Sequence, residues 1–518
     1  METVSVFHKE GNVVKMYPDV NIEKKDWPLQ SLLFGHRIQP SQTKYEYLIE
    51  FLQVAIAEKQ GGNKDVPTFS TTAMFPIEDA PDGNFRYLPK LGIGLKRFIF
   101  LPKSKIDGKA KVDEDAYRQL VKELEAHMSG GNAIKKKNSI TIIQNLLSGF
   151  SAVNQSRSWF DQNVLPICPE VILPEGMGLK KWRQNMPFAH DNPDVDGKFD
   201  YHRYTYMCRG GEVYYLHLMN ALVEHPSYRD EIEARINDMI SSFPQFSYLC
   251  NFVKATWEEY YTASQEVPVV TKELGAIPLA FSQRNRQTLD ELTNFLSSKA
   301  HPFEKMEALA NGIILQIMRM MYLAAATEDT ESNCWVIDVN CSGFENTEAK
   351  KCAIAAFKHN EEVISTYLYQ GLAKYRDRLS TKKDDQSLIK DAANDSYRLF
   401  RKLGKMIGVI IPLSGKGMRF TLSEDIIKFL VLAIIPPKQM ITLSTFVDSL
   451  YEHFGMVIGP EQYRTEMMKG SVAEIGDFSF LEANLDAFAQ KLKDCGFLRD
   501  LSDATSIVEN PYEREEIT

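Results

Sequence analysis

The amino-acid sequence predicts an α+β protein that is mainly α, with a mixed N-terminal region, a central helical domain and a C-terminal winged helix. Three observations predict this. Apolar residues recur at helical spacing through most of residues 212–406. Short runs rich in β-branched and aromatic residues fall mainly outside that stretch. The last hundred residues read as helix, helix, helix, strand, strand. With 518 residues, about three to four domains are expected. The boundaries fall at 1–155, a mixed α/β region, 156–210, an irregular insert, 211–410, a helical domain, and 411–518, the winged helix.

The first strong helix is expected over 42–60, capped by Ser41 and stopped by Gly61 and Gly62. Residues 63–89 are rich in Pro, Gly and Asp and read as loop with short strands. Lys96 to Leu101 alternates like a strand. Asp113 is expected to cap a helix that runs through Met128, and another helix is expected over 139–152. After Gly210 and Gly211, helical periodicity fills 212–224, 227–242, 246–262, 285–299, 303–326, 348–378 and 386–406, with a hairpin-like interruption at Trp335–Val339.

In the C-terminal part, Met418 to Leu422 reads as a strand and Glu424 to Ile435 as an apolar helix stopped by Pro436 and Pro437. Thr442 or Ser444 caps the next helix, which ends at Gly455. A third helix covers Phe478 to Asp494, with Leu481, Leu485, Phe488 and Leu492 as its core stripe. Two short strands, Phe497–Leu501 and Thr505–Val508, complete the winged-helix order.

The runs RKLGKMIGVIIPLSGKGMRFTLSEDIIKFLVLAIIPP (Arg401–Pro437), FVDSLYEHFGMVIGP and GFLRDLSDATSIVENPY resemble the C-terminal part of large accessory proteins of bacterial anti-phage defence operons. That resemblance covers about the last 115 residues and contains no catalytic motif. It implies a subunit of a DNA-defence complex working beside an ATPase, helicase or nuclease of the same operon.

Hydrophobic residues make up 44% and charged residues 25%, a globular composition that excludes wholesale disorder. No run of about 18 apolar residues exists, so no membrane contact is expected. Seven cysteines with no export signal read as reduced thiols in the cytoplasm.

The net charge of -9 argues against a protein that coats nucleic acid over its whole surface, but the charge is divided. From Arg86 to Lys111 there are eight basic residues against Asp107 alone. Arg86, Lys90, Lys96, Arg97, Lys103 and Lys105 are therefore candidate phosphate contacts, with Phe98 and Phe100 interleaved for stacking. Lys135, Lys136 and Lys137 add a second basic knot, and Lys180, Lys181 and Arg183 a third. From Glu424 onward there are 17 acidic and 8 basic residues. A winged helix that reads DNA needs a basic third helix, whereas this one carries Glu482 and Asp486. Those two are candidate contacts to a protein partner.

Sites for chemistry are sparse. Gly415–Lys416 is followed by Gly417 rather than Ser or Thr, so it is not a phosphate-binding loop. No C-x₂-C pair supports a zinc site, and no G-x-S-x-G elbow is present. Asp191, Asn192, Asp194, Asp196, Asp200 and His202 surround Gly197 in the manner of a hard-cation loop, although Arg203 stands where a bidentate Glu would close it. Asp338 with Glu348 and Lys350 could mimic a restriction-type nuclease centre, but Glu348 opens a helix rather than lying on a strand. No cofactor is expected. The favoured expectation is a non-catalytic subunit that contacts DNA through the basic region and a protein through the acidic module. The alternatives are a metal-dependent nuclease and a winged-helix transcription regulator.

Overall fold

A computed structural model describes residues 3–10, 13–17, 28–35, 38, 42–61, 68–71, 73–77, 86–90, 92–104, 111–152, 159–173, 210–262, 272–273, 277–326, 334–339, 348–470, 472, 474–502 and 505–516. They are mostly helical, with a few short strands.

The chain opens with the antiparallel pair β1 (Thr3–Glu10) and β2 (Val13–Tyr17). Helices α1 (Leu29–Phe34) and α2 (Lys44–Ile56) follow. Thr43 caps α2 in a capping box with Glu46, whose carboxylate accepts the Thr43 amide at 2.5 Å. Ser41, the expected cap, lies outside the described residues. Strands β3 (Glu58–Gly61), β4 (Thr68–Thr71) and β5 (Arg86–Leu88) belong to a small antiparallel sheet.

Next comes α3 (Ile93–Phe100), where a strand was expected at Lys96–Leu101. All eight of its residues are buried, so no polar face remains to mark the helical period. Helices α4 (Lys111–His127) and α5 (Ala133–Gly149) pack on it. Asp113 lies inside the first turn of α4 rather than capping it, and α5 begins six residues earlier than expected, capped by Asn132.

The central helices are α6 (Gly210–Glu224), α7 (Arg229–Ile240) and α8 (Pro244–Thr262). Strands β6 (Lys272–Glu273) and β7 (Ile277–Pro278) then join the two N-terminal sheets. Helices α9 (Asn285–Ser297) and α10 (Pro302–Ala325) come next. Among the described residues α10 is the one helix long and apolar enough to cross a membrane, and its apolar stretch is wholly buried inside the protein.

Strand β8 (Trp335–Val336), helices α11 (Glu348–Tyr375), α12 (Asp385–Asn394) and α13 (Tyr397–Met406), and the antiparallel pair β9 (Ile410–Ile411) and β10 (Arg419–Phe420) follow. The single helix expected over 386–406 is thus two, broken at Asp395–Ser396.

The remainder runs α14 (Glu424–Ile434), β11 (Met440–Thr442), α15 (Leu443–Phe454), β12 (Met456–Val457), α16 (Pro460–Met468), α17 (Ser479–Asp494), β13 (Leu498–Ser502) and β14 (Thr505–Glu509). The side chains of Ser423 and Thr442 cap α14 and α15, and Gly455 ends α15 with φ 67°, a left-handed turn that suits glycine. Strands β11, β14 and β13 form an antiparallel sheet in that spatial order. Leu481, Phe488 and Leu492 are buried and Leu485 is half-buried, as the stripe on α17 requires.

One apolar core extends from Leu29 to Val508. Helix α14 packs on α9 and α10. At Gly312 the backbone of α10 meets the Phe429 ring of α14 so closely that a Cβ would lie 2.2 Å from it. Trp335–Val339, expected to be a hairpin, instead sends β8 into parallel pairing with β12. A second core joins α3, α4 and α5 to α8 and to the segment 159–173.

Candidate nucleic-acid interface and docking face

The second core carries much of the described basic region. Its surface lysines and buried cations have separate roles. Lys96 and Arg97, expected as phosphate contacts, are 1% and 0% exposed. Arg97 donates to Asp113 at 2.6 Å, and its guanidinium lies over the rings of Trp159 and Trp257 at 5.2 and 4.8 Å. Desolvating a guanidinium is costly, and the paired carboxylate and two indole faces offset that cost. Neither side chain can meet a phosphate at the surface of this fold. Phe98 and Phe100 are buried in the same core and offer no stacking face.

Arg86, Lys90, Lys103, Lys135 and Lys137 are exposed, and Lys136 is half-buried. Lys90 sits in a crowded setting, where desolvation and then the like charge of Lys254 push it below the ordinary lysine range. Lys103 donates to Ser148 Oγ near the end of α5, and Lys136 donates to the Glu125 carbonyl at 2.8 Å near its start. At 1.5 Å per residue these cations stand about 18 Å apart along α5. Lys105, Lys180, Lys181 and Arg183 lie outside the described residues.

Helix α5 contains no acidic residue. Its three lysines occupy the third to fifth positions, close to the N-terminus where the helix dipole is already positive. That arrangement costs helix stability and concentrates positive potential where Asn132 accepts the Lys135 amide at 2.9 Å. On the same helix Ile134, just before the lysines, and Ile142 and Leu146, between them and Ser148, remain 70%, 65% and 44% exposed.

The nuclease-like trio does not form an open centre. Asp338 is buried and holds Arg419 at 2.5 Å. Glu348 is exposed at the start of α11 and holds Lys351 at 2.5 Å, while Lys350 is half-buried. Among the described residues no group of three or more His, Cys, Asp or Glu side chains could hold a metal. Asp191, Asp194, Asp196, Asp200 and His202 lie outside those residues.

On α17, Ser479, Glu482, Ala483, Asp486, Gln490 and Lys493 are exposed. Asp494 is exposed there too; Lys493 is held by Asp500 of β13 and Asp494 accepts from Gln490, each at 2.7 Å, so the carboxylates of Glu482, Asp486 and Asp494 dominate this face. The opposite side is fixed by Asn484, which accepts the Val339 amide and donates to the carbonyls of Ile337 and Ile458, each at 2.9 Å. Sequence reasoning missed this anchor, because a lone Asn on a helix gives no sign of its distant partners.

It also missed a buried polar junction. Arg284 donates to Glu291 at 3.0 Å and to the His453 carbonyl, while His453 Nδ1 lies 2.7 Å from Glu291. This junction ties α9 to the end of α15, and its members are scattered single residues in the sequence.

Comparison with protein-family models, curated proteins and solved structures gives no match.

Proposed function

We propose that the chain is a non-catalytic subunit of a bacterial anti-phage DNA-defence complex, acting in the cytoplasm. Residues 411–518 serve as a winged helix that docks a protein partner, an ATPase, helicase or nuclease of the same operon. The order α14, β11, α15, α17, β13, β14 and the spatial order β11–β14–β13 support the winged-helix reading, with α16 as an insertion. The exposed cations Arg86, Lys90, Lys103, Lys135 and Lys137 contact the DNA backbone.

The observation that carries the docking role is the exposed acidic face of α17. A third helix bearing Glu482 and Asp486 repels phosphate and steers a basic protein surface. The Asn484 anchor holds that face in a fixed orientation. Affinity capture of the co-encoded proteins by the full chain tests the reading. The wild-type chain is expected to retain a partner that the double variant Glu482→Lys, Asp486→Lys loses. Equal recovery by both refutes the docking role.

A further inference from the structure

We infer that Cys168 and Cys250 are a disulfide-forming pair, a site of reversible oxidation that clamps the segment 159–173 to α8. The two residues are 82 positions apart in sequence, yet their sulfurs lie 3.9 Å apart. Both are fully buried in the core that α3, α4, α5 and α8 share. A disulfide needs about 2.0 Å between sulfurs, so closure requires the two side chains to turn toward each other.

Their backbones are already held in register for that movement. Cys168 precedes the short turn Pro169–Val171, and Cys250 lies in the second turn of α8. Between them Glu170 accepts from Ser247 Oγ at 2.7 Å and from Asn251 Nδ2 at 2.9 Å. Those two donors lie before and after Cys250 on α8, so the Glu170 carboxylate pins the turn carrying Cys168 beside Cys250. The hydrogen bond from Cys168, followed by burial, pushes the Cys250 thiol above its ordinary range. Joining two thiols as a disulfide removes two hydrogen atoms, so closing the pair needs an oxidant.

Hydrogen peroxide is a sufficient oxidant of the right class. One thiol loses its proton, and the thiolate attacks a peroxide oxygen to give a sulfenic acid and hydroxide. The second sulfur attacks the sulfenic sulfur, and the displaced hydroxide leaves as water with the second thiol's proton. Two thiols and one peroxide become one disulfide and two waters. A dithiol reductant reverses the bond by exchange. Once closed, the disulfide joins 159–173 covalently to α8, the helix whose Trp257 covers Arg97.

The test uses the full wild-type chain. It is treated with peroxide, denatured, alkylated and digested without reductant, and its peptides are weighed. The expected result is a linked peptide pair holding Cys168 and Cys250, lighter than the separate peptides by two hydrogen atoms and released by dithiothreitol. The folded oxidised chain should also unfold at a higher temperature than the reduced one, a shift that dithiothreitol abolishes. Alkylation of both cysteines as free thiols overturns the inference. So does their conversion to separate sulfinic acids, or pairing of either one with a different cysteine.

Discussion

The side chain of Asn484 accepts the backbone amide of Val339 at 2.9 Å across a sequence separation of 145 residues. The same side-chain amide satisfies two further backbone groups, so one residue fixes α17 to the strand region that runs through the middle of the protein. Removing it leaves a buried donor and two buried acceptors without partners.

Asn484→Ala is therefore expected to destabilise the chain by about 2–4 kcal/mol. Denaturant unfolding of the full chain measures this loss. A change under about 0.5 kcal/mol, the range of ordinary surface substitutions, would show that water replaces the amide without penalty.

Glu482→Lys with Asp486→Lys should behave in the opposite way. Both side chains are exposed, so the unfolding midpoint should stay nearly unchanged, since surface charges contribute about 1 kcal/mol or less. Association with the captured partner should slow, and the difference should shrink in high salt. Stopped-flow or surface-binding kinetics separate the two effects.

Reversing Lys135, Lys136 and Lys137 to Glu is expected to weaken DNA binding equally for unrelated sequences. The log–log salt dependence should flatten by about 2–3 units, one for each phosphate that is no longer neutralised. The same change places carboxylates at a helix N-terminus, where they favour the dipole, so α5 should not lose stability. Titration by fluorescence anisotropy at several salt concentrations is the measurement. Unchanged affinity at low salt removes α5 from the DNA interface.

Asp338→Ala should cost about 3–5 kcal/mol because it strands the buried Arg419. Replacing exposed Glu348 by Ala should cost little. Neither variant is expected to alter DNA cleavage, because the wild-type chain with Mg²⁺ or Mn²⁺ should cleave none. Cleavage that disappears in both variants would restore the nuclease reading.

His217 sets an acid limit on stability. It is fully buried, its Nε2 lies 2.9 Å from Thr288 Oγ1, and burial, with the charge of Arg284, lowers its pKa to about 3. The unfolded chain binds a proton near pH 6.5 that the folded chain refuses down to about pH 3. This contribution is complete above pH 6.5 and is lost as pH falls through that window. At pH 5 the loss from this group is roughly 2 kcal/mol. In denaturant titrations at pH 7 and pH 5, His217→Gln should show a smaller acid-induced loss than the wild-type chain.

Local punctuation made much of the C-terminal part readable in the sequence. Pro436, Thr442, Gly455 and Gly496 punctuate α14, α15 and α17, and Leu481, Phe488 and Leu492 recur at the helical period. Helix α3 was not readable, because a helix buried all round has no apolar face to distinguish. Helix α16 is short and only weakly patterned. The parallel pairing of β8 with β12 depends on residues 121 positions apart, beyond any local rule. At the basic region, charge could be counted but accessibility could not. Lys135 and Lys137 reach solvent, whereas Arg97 is enclosed by Asp113 and two tryptophans that lie far along the chain.

That same pairing of β8 with β12 constrains how the protein is made. Trp335 has its final neighbours only when Phe420 is stacked on it and Met456 lies beside it, and Val339 waits longer still for Asn484. During synthesis, helices α9 to α13 emerge from the ribosome well before the segments that cover them. A nascent chain that has emerged only as far as residue 410 presents Trp335, Phe357 and Phe400 without their Phe420 partner. Closure across such separations is slow, and the waiting apolar surface invites aggregation. The yield of folded protein should therefore depend on translation speed and chaperone supply more than its many local helices suggest.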